Sequence, residues 1–147
     1  MKPGIGIRVV ATALPSTVRT NEHWQRHTPA LVRDAEAKSL SRVFNNDKAP
    51  DTHFDRAMQP YLRDPFRGAQ RRHVLAEGET GIDLEITAAR RALKAARIDG
   101  VDTIISVGFV PEHFATGNAV HIAAALEHRG NAWNLESACA GPLQAVL

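Results

Sequence analysis

The sequence predicts an α/β fold, and three features carry that expectation. Residues 80–97 repeat apolar side chains at helical spacing (Ile82, Ile86, Ala89, Leu93, Ala96), which places them on one face of a helix. Residues 103–109 (TIISVGF) and 131–137 (NAWNLES) are short runs of strand character. An alanine-rich helical stretch at 116–128 lies between them, so that strand, helix, strand, helix, strand alternate from residue 71 onward. Such alternation joins parallel strands by right-handed crossovers, with helices covering the sheet.

The elements follow in order. Residues 5–14 (IGIRVVATAL) are apolar and β-branched up to Pro15, which reads as a buried first strand. Thr20-Asn21-Glu22 reads as a capped helix start. From Trp24 to Asp64 the pattern predicts two helices. One has a face of Leu31, Val32, Ala35, Leu40 and Val43, the other of Phe54, Met58, Tyr61 and Leu62, and the polar stretch 45–53 (NNDKAPDTH) links them. Residues 71–77 (RRHVLAE) are the next strand. The helix over 80–97 has an acidic start (Glu79, Asp83, Glu85) and a basic end (Arg90, Arg91, Lys94, Arg97). That distribution complements the helix dipole, and Asp99-Gly100 is expected to stop it. Gly130 closes the helix over 116–128. The final run, CAGPLQAVL, opens an apolar helix whose Leu143, Val146 and Leu147 would otherwise meet water. Residues 1–147 are therefore expected to be one incomplete domain, without internal repeat or linker, and unstable when expressed alone.

Composition narrows the function. The chain has 44% hydrophobic and 23% charged residues, ordinary for a globular domain. Eighteen Lys and Arg stand against sixteen Asp and Glu, and the resulting charge of +2 gives no argument for nucleic acid. Arg63, Arg67, Arg71 and Arg72 do cluster, as a solvated turn or as the contact for a phosphate-bearing substrate arm. One cysteine excludes an internal disulfide and a cysteine-rich metal site. The histidines (His23, His27, His53, His73, His113, His121, His128) show no metal-ligand spacing, so no metal is expected. No stretch reaches the roughly 18 apolar residues of a membrane span, and a cytoplasmic location is the default expectation.

The chemistry centres on Glu136-Ser137-Ala138-Cys139-Ala140-Gly141. A strand is expected to end and a helix to begin there, which puts Cys139 at the carboxyl end of the sheet, where open α/β sheets keep their sites. A helix N-terminus favours a thiolate. The small neighbours Ala138, Ala140 and Gly141 leave room for a thioester carbonyl. A buried cysteine acting only as a small hydrophobe is the competing reading.

Four segments resemble the ketoacyl synthase III family of the thiolase superfamily: IRVVATALPSTVRTNE near the start, GAQRRHVLAEGET, the run DLEITAARRALKAARIDGVDTIISVGFVPEH, and NAWNLESACAGPLQAVL. The resemblance covers roughly residues 5–23 and 66–147. It implies the first part of a thiolase-like fold, with layered α/β/α/β/α architecture. It also implies Cys139 as the acyl-carrying nucleophile, paired with a His and an Asn (or Asp) from beyond residue 147. The substrate is then an acyl-CoA or an acyl carrier protein phosphopantetheine, with no further cofactor, and the partners are the remaining half of the fold and a second copy. Residues 24–64 depart from the family as a lengthened insertion at the expected mouth of the coenzyme A tunnel. No position there matches the family's adenine-stacking aromatic: Leu62 falls near it by spacing, and Trp24 is the tryptophan of the region. Phe66 stands where the family arginine usually lies, and Arg67 follows as a displaced phosphate contact. Trp24, Phe66 and Arg67 are the candidates for holding the substrate arm. Gly141-Pro142 replaces the usual Gly-Phe; proline is tolerated in a first helical turn. Three functions follow from the resemblance: decarboxylative condensation in a fatty-acid or polyketide-type pathway, acyl transfer to a hydroxyl or amine without condensation, or a non-catalytic subunit that works only with a partner chain.

Overall fold

The computed structural model describes residues 6–43 and 52–146, the side chains of 39–43 excepted. The expected link at 45–53 and the exposure of Leu147 thus fall largely outside the described residues. Contacts divide the chain into two compact units, residues 16–74 and the remainder.

In the 16–74 unit, β1 (Thr17–Thr20) pairs antiparallel with β2 (Arg71–Val74), Thr17 opposite Val74 and Thr20 opposite Arg71. Three helices lie between them: α1 (Asn21–His27), α2 (Pro29–Val43) and α3 (His53–Arg63). They correspond to the helix start expected at Thr20-Asn21-Glu22 and to the two helices expected over 24–64. Pro29 at the first position of α2 separates it from α1, since its fixed φ suits a helix start and its missing N–H costs nothing there. A capping box opens α3: the Thr52 hydroxyl accepts from the Asp55 amide at 3.1 Å, and the Asp55 carboxylate accepts from the Thr52 amide at 3.0 Å. The expected apolar face of α3 is only partly used. Leu62 is buried, whereas Phe54, Met58 and Tyr61 are exposed.

The second unit contains α4 (Gly81–Ala96), β3 (Thr103–Val107), α5 (Ala119–Ala125), β4 (Asn131–Leu135), a 3₁₀ turn (Ala138–Ala140) and α6 (Gly141–Gln144). Strands β3 and β4 are parallel, Thr103 opposite Asn131 and Val107 opposite Leu135. Only one expected parallel crossover therefore forms among the described residues, because β2 takes β1 as its partner instead. Helix α4 ends before the anticipated Asp99-Gly100 stop. Arg97 adopts a left-handed conformation (φ 55°), and its amide caps the carbonyls of Leu93 and Lys94. Helix α5 is shorter than expected, since Gly117 is left-handed (φ 67°) and breaks the chain just before it. The buried core of this unit is small: Ile82, Ala96, Ala119, Ile122 and Ala123.

Residues 6–15 do not form the buried strand expected of 5–14. They join no ladder, and Ile7, Val10 and Leu14 are exposed. The exposure pattern alternates with period two from Val9 onward, so one face is covered and the other is not. Side chains hold the segment: Arg8 donates to the Ala96 carbonyl at 2.8 Å, and Arg91 donates to the Thr12 carbonyl at 2.7 Å. Val9 shares an apolar cavity of about 250 Å³ with Leu93, Ile104 and Ile122. Among the described residues, no helix is long and apolar enough to cross a membrane.

Candidate active site

Cys139 is exposed and lies in the 3₁₀ turn between β4 and α6. The chain reaches it through a strained residue, since Ala138 has φ 45°. A residue with a Cβ pays for that conformation, about 1–2 kcal/mol, and such strain gathers where a side chain must be presented at an angle. Gly141, two residues on, is buried and helical (φ −50°, ψ −51°). A Cβ there would overlap the Val107 side chain at the end of β3. The glycine thus lets the turn rest directly on the sheet. Pro142 falls in the first turn of α6. Helix α6 spans Gly141–Gln144.

A polar network underlies the carboxyl ends of β3 and β4. Asn118, buried at 7% exposure, donates from Nδ2 to Glu85 Oε1 at 2.8 Å and accepts at Oδ1 from the Glu112 amide at 3.0 Å. Ser106 on β3 donates to Glu85 Oε2 at 3.2 Å, and Glu112 Oε2 accepts from the Ile82 amide at 3.0 Å. Asn134 on β4 accepts from the Ala119 amide at 2.9 Å and donates to the Thr116 carbonyl at 3.2 Å. A Cβ on Gly117 would overlap Asn134. Ser106, Asn118, Asn134, Leu135 and Glu136 line a cavity of about 40 Å³ in this network. His113, a loop residue near the expected site, stacks on His121 with ring centroids 3.8 Å apart.

The 16–74 unit carries its own pocket of about 320 Å³, with Trp24, Leu31, Val32 and Phe66 as apolar wall and Arg72 as the cation. Two of the predicted arm residues, Trp24 and Phe66, therefore meet. Arg67 is exposed and stands outside the lining. The guanidinium of Arg72 lies 4.9 Å from the Phe66 ring centroid and donates to Asn21 Oδ1 at 2.8 Å. Arg19 covers Trp24 at 5.8 Å. Trp24 Nε1 is buried without a hydrogen-bond partner among the described residues, an unusual state for a donor of this kind. Asp64 accepts from the Phe66 amide at 2.9 Å and the Gly68 amide at 2.7 Å. Those two amides, Gly68 first, hold its carboxyl below the usual range, and Arg72 adds to them. Partial desolvation lowers the pKa of His23, with Arg19, His27 and Arg26 as further causes. Among the described residues, no group of three or more His, Cys, Asp or Glu could hold a metal ion.

Cys139, Trp24 and Phe66 stood out in the sequence; the hydrogen-bonded set of Glu85, Ser106, Asn118 and Asn134 did not. Glu85 read as a charge serving the helix dipole. A faint signal was available in Asn134, the polar residue between Trp133 and Leu135 in the interior of β4.

No protein-family model matches the chain. Curated relatives do. The chain is 39% identical over 83 residues to beta-ketoacyl-[acyl-carrier-protein] synthase III of Paramagnetospirillum magneticum, a match covering 54% of this chain and 25% of the relative. It is 40% identical over 82 residues to the enzyme of the same name in Acidiphilium cryptum, covering 54% and 26%. The chain thus spans about a quarter of the length of these relatives. Among solved structures, 3-oxoacyl-[acyl-carrier-protein] synthase III from Aquifex aeolicus has a TM-score of 0.62 at 20% identity, over 97% of this chain and 38% of that one. A tetronic acid condensing enzyme has a TM-score of 0.61 at 24% identity, over 94% and 37%. A single-residue variant of OleA from Xanthomonas campestris gives 0.62 at 14%, over 95% and 38%. Together these likenesses show a partial thiolase-like α/β fold.

Proposed function

We propose that this ketoacyl synthase III-like chain transfers acyl groups through a covalent thioester on Cys139. The observation that carries the reading is the exposed thiol on a strained turn at the carboxyl end of the parallel pair. In the first half-reaction the Cys139 thiolate attacks the carbonyl of an acyl thioester on coenzyme A or a carrier protein. The C–S bond to the donor then breaks, its thiolate leaves and takes a proton, and acyl-Cys139 remains. Backbone N–H groups of the 3₁₀ turn are the natural donors to the oxyanion. In the second half-reaction a malonyl thioester loses carbon dioxide, and its carbanion attacks the acyl carbonyl. The Cys139 thiolate departs, and a β-ketoacyl thioester is released. The resemblance to ketoacyl synthase III implies a His and an Asn (or Asp) as partners of Cys139 for that step.

The pocket of Trp24, Phe66 and Arg72 fits the nucleotide end of coenzyme A. It offers two aromatic rings for stacking and Arg72 for a phosphate. In this reading Arg72 takes the phosphate contact first assigned to Arg67. Mixing the enzyme with an acyl-CoA and a malonyl thioester tests the proposal. Release of carbon dioxide with a β-ketoacyl product supports it. An ester or amide formed only when an alcohol or amine is added, with malonate untouched, replaces condensation by plain acyl transfer.

A further inference from the structure

Asn134 lies on β4, five positions before the nucleophile, and its exposed side chain accepts from the Ala119 amide and donates to the Thr116 carbonyl. The neighbouring Asn118 is engaged with Glu85 on α4 and with the Glu112 amide. Ser106 ties the same Glu85 carboxylate to β3. A carboxylate drawn into a half-buried site and shared by an amide and a hydroxyl costs desolvation, which its hydrogen bonds must offset. Asn118 is the buried member of the network, and a buried polar group that finds its partners favours one geometry over others. What this geometry fixes is the end of the β3–β4 pair, on which Gly141 rests against Val107 and from which the Cys139 turn departs.

We propose that Glu85, Asn118 and Asn134 form a positioning relay for Cys139. The relay links α4, β3, α5 and β4 and holds the strained turn at the angle that acylation requires. Glu85 is the keystone, because its two oxygens join Asn118 to Ser106. The inference rests on acyl transfer at Cys139, as proposed above. It goes beyond that reading in assigning catalytic consequence to residues that never touch the substrate.

The test measures single-turnover acylation by an acyl-CoA in the whole enzyme. Glu85→Ala removes both contacts, and Glu85→Gln keeps them, since its carbonyl can accept from Asn118 and its NH₂ can donate to the Ser106 hydroxyl. Displacement of about 1 Å by a remote change costs up to roughly 100-fold in rate. Glu85→Ala is expected to slow acylation at least about tenfold while donor affinity stays within about twofold, and Glu85→Gln to recover most of the loss. If Glu85→Ala fails to fold, Ser106→Ala, which deletes one hydroxyl, carries the comparison and is expected to slow acylation by about threefold. A folded variant that acylates Cys139 at the unaltered rate overturns the relay. So does a loss in Glu85→Gln as deep as in Glu85→Ala, which would make the charge and not the geometry responsible. Failure of the unaltered enzyme to acylate Cys139 at all removes the functional reading itself, and the relay with it.

Discussion

Replacing Gly141 by alanine sets two effects against each other. The backbone there is already helical (φ −50°, ψ −51°), so alanine is conformationally welcome and gains about 0.5–1 kcal/mol over glycine. Its Cβ, however, would overlap the Cγ1 methyl of Val107, while the Val107 Cβ lies at an ordinary 3.8 Å. One methyl must therefore move, on a side chain whose χ1 is stiff and whose strand is paired. Overpacking of this kind costs about 1–3 kcal/mol, so sterics outweigh propensity and a net loss of roughly 1–2 kcal/mol is expected. Val107→Ala alone removes two methyls from a half-buried position, worth at most about 1.6 kcal/mol at about 0.8 per carbon. In the double variant the alanine Cβ occupies the vacated space, and about 1–2 kcal/mol of favourable coupling should appear. Urea unfolding of the four proteins gives the stabilities, and acylation rates report whether the turn has shifted. A Gly141→Ala protein as stable as the original refutes the reasoning. A penalty that persists undiminished alongside Val107→Ala does so as well.

Trp24→Ala should weaken acyl-CoA binding by about tenfold, within the roughly 1–3 kcal/mol of a base–aromatic stack, and leave the rate at saturating donor nearly unchanged; equal affinity would remove the pocket from the substrate path. Asp64 titrates below its ordinary 3.8 in the folded chain, so its contribution is fully present above the unfolded value and is lost as pH falls through the lower folded one. Asp64→Ala should therefore raise the protease sensitivity of the 64–68 turn at neutral pH, with the difference fading in acid. His23 also titrates below its ordinary 6.5. The unfolded chain binds more protons in that window, so this group favours folding more as pH rises through it. An NMR titration should place the His23 midpoint under 6.5, and Arg19→Ala should move it upward.

The elements most legible in the sequence were those with a strong internal period. Helix α4 announced itself through Ile82, Ile86, Ala89, Leu93 and Ala96, with Thr80 as its cap, and the structure ends it at Ala96. Strands β3 and β4 appeared within two residues of their expected limits. Residues 5–14 failed for a physical reason. A strand is defined by its partner, and the alternating exposure of Val9 to Leu14 shows extended chain without a ladder. The helix start at Thr20-Asn21-Glu22 became α1, and the two apolar faces over 24–64 became α2 and α3, with Pro29 opening α2. At the site, Cys139 was legible because its turn is local. Glu85, Asn118 and Asn134 were not, because a polar residue on a helix, at a cap or in a short strand usually meets water, and only tertiary packing brings them together.

The central claim is the thioester on Cys139. Incubating the enzyme with a short acyl-CoA and mapping the added mass by peptide analysis tests it most directly. The account predicts one acyl group, located on the peptide containing Cys139 and absent from Cys139→Ala. An adduct on another residue, or one that survives Cys139→Ala, would contradict it.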